Sequence, residues 1–170
     1  MNAYNPVDPG DPKPQTSLPI QTLHGIAGEL IVEADLLMRG FWPWRSHYQG
    51  AQVYDLLVMD EGKPIRIQCK AMGEVRIEDR TAQGQGRYDR GHQFSLRKGV
   101  GAKQGYDPAE LDYFALVALD TKQVGYVPVG SLIRGTGMIT TLNVRPQDWE
   151  KYQAFPVDKE ATTANAPDKS

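Results

Sequence analysis

The feature that most constrains this chain is a pair of short apolar-rich runs, Val53–Met59 and Ile65–Lys70, joined by the turn signal Asp60-Glu61-Gly62-Lys63. With Glu61 and Gly62 as a two-residue hairpin loop, Asp60 faces Lys63. Counting back sets Val58 against Ile65, Leu56 against Ile67 and Tyr54 against Cys69. Side chains alternate across a strand, so these six share one apolar face. The other face carries Asp55 opposite Gln68, Leu57 opposite Arg66, and Lys70 at the same strand end as Asp55. A slip of one residue would drive charges into the apolar set, so the pattern supports the register.

A helix precedes the hairpin. Thr22 is placed to cap it, and it runs to about Arg39, with Gly40 just past its end. Leu23, Ile26, Ala27, Leu30, Ala34, Leu37 and Met38 follow the helical period. Gly25 and Gly28 lower helix propensity, which predicts close approach of another element. Glu29 shares a side with Ile26, Glu33 and Leu36, along the boundary of the buried face. Packing the helix over the hairpin brings Glu29 near Asp55.

Beyond the hairpin, Val75–Glu78 reads as an extension of the second strand, and Arg80–Gly105 as a glycine-rich basic loop with a short strand at Gln93–Leu96. Leu111–Asp120 is an apolar run typical of a central strand. A turn at Asp120–Gln123 leads to a strand at Val124–Val129. One helical turn at Ser131–Ile133, an edge strand at Met138–Val144 and a short helix from Pro146 to Gln153 complete the chain. The expected class is α/β, a mixed central sheet flanked by helices.

The 170 residues suit one domain. Residues 1–18 and 158–170 lack the apolar side chains to offset chain entropy and read as disordered tails around a domain at 19–157. No apolar run is long enough to span a bilayer, and the N-terminus lacks the basic-then-apolar order of a secretory signal. The single cysteine, Cys69, excludes an internal disulfide and a cysteine-built zinc cage. The expected location is the cytoplasm, with no membrane partner. Net charge is −2, but Arg80, Arg87, Arg90, Arg97, Lys98 and Lys103 stand together against Asp89 alone. Such a segment reads as a phosphate-contacting surface for DNA.

Asp55, Gln68 and Lys70, with Glu29 from the helix, are the candidate catalytic residues. Mg²⁺ (or Mn²⁺) takes oxygen ligands, here the carboxylates of Asp55 and Glu29, the Gln68 amide oxygen and the Cys69 backbone carbonyl. A metal beside a lysine suits phosphodiester hydrolysis. Lys70 would orient a water and take its proton if its pKa is lowered, or offset charge on the phosphate. His24, His47 and His92 make no metal-spacing motif. The Cys69 side chain reads as a small buried hydrophobe, and Trp42 and Trp44 as packing residues.

The stretch "YDLLVMDEGKPIRIQCK" resembles the signature of the PD-(D/E)xK nuclease superfamily, with Asp55 at its first acid, Lys70 at its lysine and Gln68 in place of the second acid. "GIAGELIVEADLLMRG" is similar to the first helix of that superfamily, whose Glu matches Glu29. "RIQCK" is similar to the branch of intron-encoded homing endonucleases, while the helix Glu is shared with archaeal-type Holliday junction resolvases. A further likeness runs through "FSLRKG…YDPAELDYFALVALDTKQVGYVPV", with its Tyr, a spacer, then Asp-Tyr-Phe-Ala. The resemblance covers roughly Leu23 to Val129. It implies a restriction-endonuclease-like core and a Mg²⁺-dependent DNA endonuclease, read here as a Holliday junction resolvase working as a homodimer or higher homo-oligomer. The alternatives are a sequence-specific homing or restriction-like endonuclease and, because of Gln68, a catalytically inactive DNA-binding module. By family association the source would be a phage or mobile element.

Overall fold

The structure is a computed structural model that describes residues 18–46, 53–80, 86–98, 105–135 and 137–156. The expected C-terminal tail, most of the N-terminal one, His47 and Lys103 lie outside these residues.

A five-stranded sheet forms the centre, in the order β1 (Trp44–Arg45), β2 (Leu56–Asp60), β3 (Lys63–Met72), β6 (Tyr113–Ala118), β7 (Gln123–Pro128). Between β3 and β6 the chain forms β4 (Val75–Arg80) and β5 (Gly86–Ser95). β6 runs parallel to β3 and antiparallel to β7, so the sheet is mixed. All six β6 residues are buried, as a strand covered on both faces requires.

The hairpin forms in the expected register, with Leu56 opposite Ile67, Val58 opposite Ile65 and Asp60 opposite Lys63. Glu61 and Gly62 have φ of 46° and 79°, the left-handed pair that a two-residue loop between right-twisted strands demands. One part of the expectation fails. The ladder stops at Leu56, and Tyr54 packs not with Leu56 and Cys69 but with the cluster on the opposite face. Alternation holds only while the backbone stays extended, and the chain bends at Asp55.

Helix α1 (Ile20–Met38) covers one face, packing Val32 and Leu36 on Leu56, Val58, Ile67 and Cys69. It begins before Thr22, whose N–H donates to the Pro19 carbonyl at 2.9 Å, so Thr22 is not its cap. Its buried stripe is Gly28, Val32 and Leu36. The apolar period noted in the sequence faces the other way, with Ile26, Leu30, Leu37 and Met38 exposed. Gly28 explains the choice of side. A Cβ built there would lie 2.5 Å from the Ala71 Cβ, so only a glycine lets the helix seat this closely on β3. Gly25 meets nothing comparable.

The opposite face is covered by a three-stranded sheet ordered β10 (Thr141–Val144), β5, β4. A 3₁₀ helix at Pro146–Tyr152 closes this side with Trp149 beside Phe94 and Phe114. A 3₁₀ turn at Val129–Leu132 leads to a small ribbon of β8 (Ile133–Arg134) and β9 (Gly137–Met138). Among the described residues the expected loop from Arg80 is instead mostly strand, since β4 and β5 form a long antiparallel hairpin separate from β3's sheet. Trp42 and Trp44, expected to pack, are exposed, with Trp44 on the sheet-edge strand β1.

Candidate active site

The expected site residues gather where β2 and β3 part. The Asp55 N–H donates to the Ile67 carbonyl at 2.9 Å, the last backbone–backbone bond between the two segments among the described residues. Two residues on, the Cys69 N–H points to the same side and finds no strand there. The Asp55 carboxylate takes its place, accepting the Cys69 N–H at 2.7 Å. The Gln68 amide nitrogen donates to the same carboxylate oxygen and approaches the Cys69 carbonyl at 3.4 Å. Asp55 is thus held by the strand that carries the rest of the group.

Gln68 and Lys70 stand on the face away from α1, beside Phe114 and Leu116 of β6, while the Cys69 thiol turns toward α1 and is buried. The Lys70 ammonium donates to the Tyr106 hydroxyl at 2.9 Å and to the Arg97 carbonyl at 3.0 Å. It also lies 5.0 Å from the Tyr106 ring centre. Burial pushes its pKa down, against the pull of Asp55. Burial pushes the Asp55 carboxyl up, only partly offset by the Cys69 N–H, the Gln68 amide and Lys70.

Glu29 reaches the group from the α1 side. Burial raises its pKa first, and the Asp55 charge raises it further. Arg45 stands 3.8 Å from Glu29 and donates to Glu33 from Nε at 2.8 Å. Neither Arg45 nor Tyr106 was singled out as a site residue from sequence. The usable signals were a lone cation closing an aromatic run, and the tyrosine already present in the motif likeness. Asp55, Gln68, Cys69 and Lys70 are therefore brought together, and Glu29 is an electrostatic neighbour tied to Arg45.

The expected DNA-contacting residues divide. The Arg97 guanidinium donates to Thr140 at 3.1 Å while its carbonyl holds Lys70, and Lys98 lies 5.9 Å from the Tyr106 ring centre. Arg90 is exposed, 3.8 Å from Glu74. Arg80 and Arg87 lie on the β4–β5 hairpin, opposite Gly86 and Asp79.

The donor set fits a hard divalent cation. Among the described residues no three His, Cys, Asp or Glu side chains form a metal cluster. Oxygen donors nevertheless converge, because the Gln68 amide sits between the Asp55 carboxylate and the Cys69 carbonyl. Turning that amide over presents its oxygen to the same point, which makes three oxygens of the kind Mg²⁺ prefers.

The model of the PD-(D/E)XK endonuclease family matches residues 21–160. A solved bacterial homing endonuclease, I-Ssp6803I, shares the fold with a TM-score of 0.54 and 14% identity, over 72% of this chain and 76% of that one. No curated protein matches the sequence significantly. Most of the chain, including every element that builds the group around Asp55, is thereby accounted for, and the protein belongs to the PD-(D/E)XK endonuclease family.

Proposed function

We propose that this nuclease is a divalent-metal-dependent DNA endonuclease hydrolysing phosphodiester bonds at Asp55, Gln68 and Lys70. The observation that carries the reading is the convergence of the Asp55 carboxylate, the Gln68 amide and the Cys69 carbonyl at the β2–β3 divergence, with Lys70 two residues along the same strand. Asp55, Gln68 and the Cys69 carbonyl would hold Mg²⁺ or Mn²⁺, with Glu29 beside them. When bound, such an ion supplies charge for the phosphoryl oxygen and lowers the pKa of water.

The chain's own residues do the remainder. Lys70 is oriented by the Tyr106 hydroxyl and the Arg97 carbonyl, both acceptors, so its N–H bonds fix where the third can point. Burial shifts it toward its neutral form, the form that can accept a proton from the attacking water. Charged, it stabilises the oxyanion that develops on phosphorus. Arg90 and Lys98, with Arg80 and Arg87 on the hairpin, supply phosphate contacts along the DNA.

The fold favours a linear duplex read in its groove. Beyond its pairing with β10, the β4–β5 hairpin is two-stranded over residues 75–80 and 86–91, an element the major groove admits, and the resemblance in fold to a homing endonuclease agrees with it. The junction-resolving reading is supported by Glu29 on the first helix. Nicking assays with Mg²⁺ or Mn²⁺ test the chemistry: Asp55→Ala and Lys70→Ala should each lose cleavage by at least about 100-fold. Undiminished cutting by both rejects the site, and no cutting by the parent on any DNA favours a binding module. Competing a four-way junction against a linear duplex of the same sequence separates the two substrates.

A further inference from the structure

The most regular apolar stripe of α1 faces solvent. Ile20, Leu23, Ala27, Leu30, Ala34 and Leu37 alternate three and four apart, the spacing of a heptad seam. The helix is anchored by its other side, through Gly28, Val32 and Leu36. Of the seam, Ile20 is 54% exposed, Leu30 53% and Leu37 48%; Ala34 is exposed too, and Leu23 and Ala27 are half-buried. Ile26 and Met38 flank it and are also exposed, and no charged residue interrupts it. Together these leave an apolar patch on the order of several hundred Å², the scale that marks an interaction surface on a soluble protein.

We propose that this seam is the interface with a second copy of the chain, the two α1 helices packing antiparallel across a two-fold axis. The composition argues for a copy and for that direction. Run backwards against itself, the seam sets Leu23 against Ala34 and Leu30 against Ala27, with Ile20 against Leu37 at the ends. Four of its six layers then pair a large side chain with a small one, which interdigitates at uniform helix spacing. Parallel pairing would stack Leu on Leu and Ala on Ala, leaving alternate layers too wide and too narrow. Flanking charge does not oppose it, because Glu33 is already held by Arg45. A 19-residue helix is about 28 Å long. Pairing along that length hides on the order of 1,000 Å² in total, the lower bound of a specific interface, which suits a dimer of about micromolar affinity.

The pairing stands independently of the chemistry at Asp55. If the nuclease reading holds, Glu29 on the same helix ties each site to the axis, and one dimer carries two sites for the two strands of a duplex.

Sedimentation of the full chain across about 1 to 100 µM tests it. The parent should pass from monomer to dimer, and Leu30→Glu or Leu37→Glu should remain monomeric with an unchanged far-ultraviolet dichroism spectrum. A mixture of Leu23→Cys and Ala34→Cys chains treated with a short thiol cross-linker should give a covalent dimer across the two variants, while neither variant alone does, since each residue and its own copy lie about 16 Å apart along the antiparallel pair. A monomeric parent overturns the proposal and means that the chain's own segments or nothing covers the seam. A dimer indifferent to Leu30→Glu overturns it as well, and Leu23→Cys cross-linking to itself overturns the antiparallel arrangement. A seam-dependent dimer that cleaves no DNA leaves the interface standing and removes only the nuclease reading.

Discussion

The Cys69 N–H donates to the Asp55 carboxylate at 2.7 Å, so a backbone group that has lost its strand partner fixes the first acid of the site. That bond does not fully offset the burial of the charge, since the Asp55 pKa stays above its ordinary value. A carboxyl with a raised folded pKa lowers stability at neutral pH, and the penalty disappears as pH falls below its unfolded value of about 3.9. Asparagine keeps an oxygen for the Cys69 N–H and carries no charge. Asp55→Asn should therefore melt at or above the parent's temperature while failing to cleave. Paired melting curves and nicking assays check this; a melting temperature several degrees lower would mean the carboxylate stabilises the fold.

Tyr106 should act on Lys70 as a positioning residue. Its hydroxyl accepts from the ammonium, which favours the charged lysine, while burial favours the neutral one. Tyr106→Phe removes the acceptor and leaves the ring. The Lys70 pKa should fall further, and kcat should drop by about tenfold with little change in KM. The acidic limb of the kcat/KM profile should move to lower pH. A profile that keeps its shape and position would restrict Tyr106 to packing.

Gln68→Glu should strengthen metal binding and weaken the protein without metal. The new carboxylate would stand against Asp55 with Glu29 nearby, and both already have raised pKa values. Like charges gathered in a half-buried site repel until a cation joins them. Calorimetric titration with Mg²⁺ or Mn²⁺ should show a tighter site, and the metal-free variant should melt below the parent. Weaker binding would show that the amide has a role a carboxylate cannot fill.

The hairpin register was legible because two constraints coincided: a period of two in the side chains, and a turn that needs positive φ at Glu61 and Gly62. The all-apolar β6 was legible for the same reason of pattern. The orientation of α1 was not. Its strongest apolar period lies on the outer face, and the inner contact is made through Gly28, which has no side chain to register in any hydrophobic pattern. The β4–β5 hairpin was hidden because its glycines and charges suppress alternation. Asp55, Gln68, Cys69 and Lys70 could be placed together because one hairpin carries them all. Arg45 and Tyr106 reach the group from separate segments, and no local spacing encodes that.

The seat of α1 on the sheet gives the last prediction. A Cβ at Gly28 would fall 2.5 Å from the Ala71 Cβ, well inside contact distance, and both atoms belong to short, rigid side chains. The helix would have to lift from β3, loosening Val32 and Leu36 from the core they share with Ile67 and Cys69. Overpacking of this kind costs about 1–3 kcal/mol, against which alanine's better helix propensity returns only about 1 kcal/mol. Gly28→Ala should therefore destabilise the protein despite improving the helix. Ala71→Gly, which weakens β3 and opens a small gap, should also destabilise it. Combined, the two changes restore one methyl at the crossing, carried by the helix instead of the strand. The double variant should recover stability beyond the sum of the single effects by about 1 kcal/mol or more. Urea denaturation of all four proteins measures the coupling; strict additivity would show that the helix is not held against β3 at this crossing.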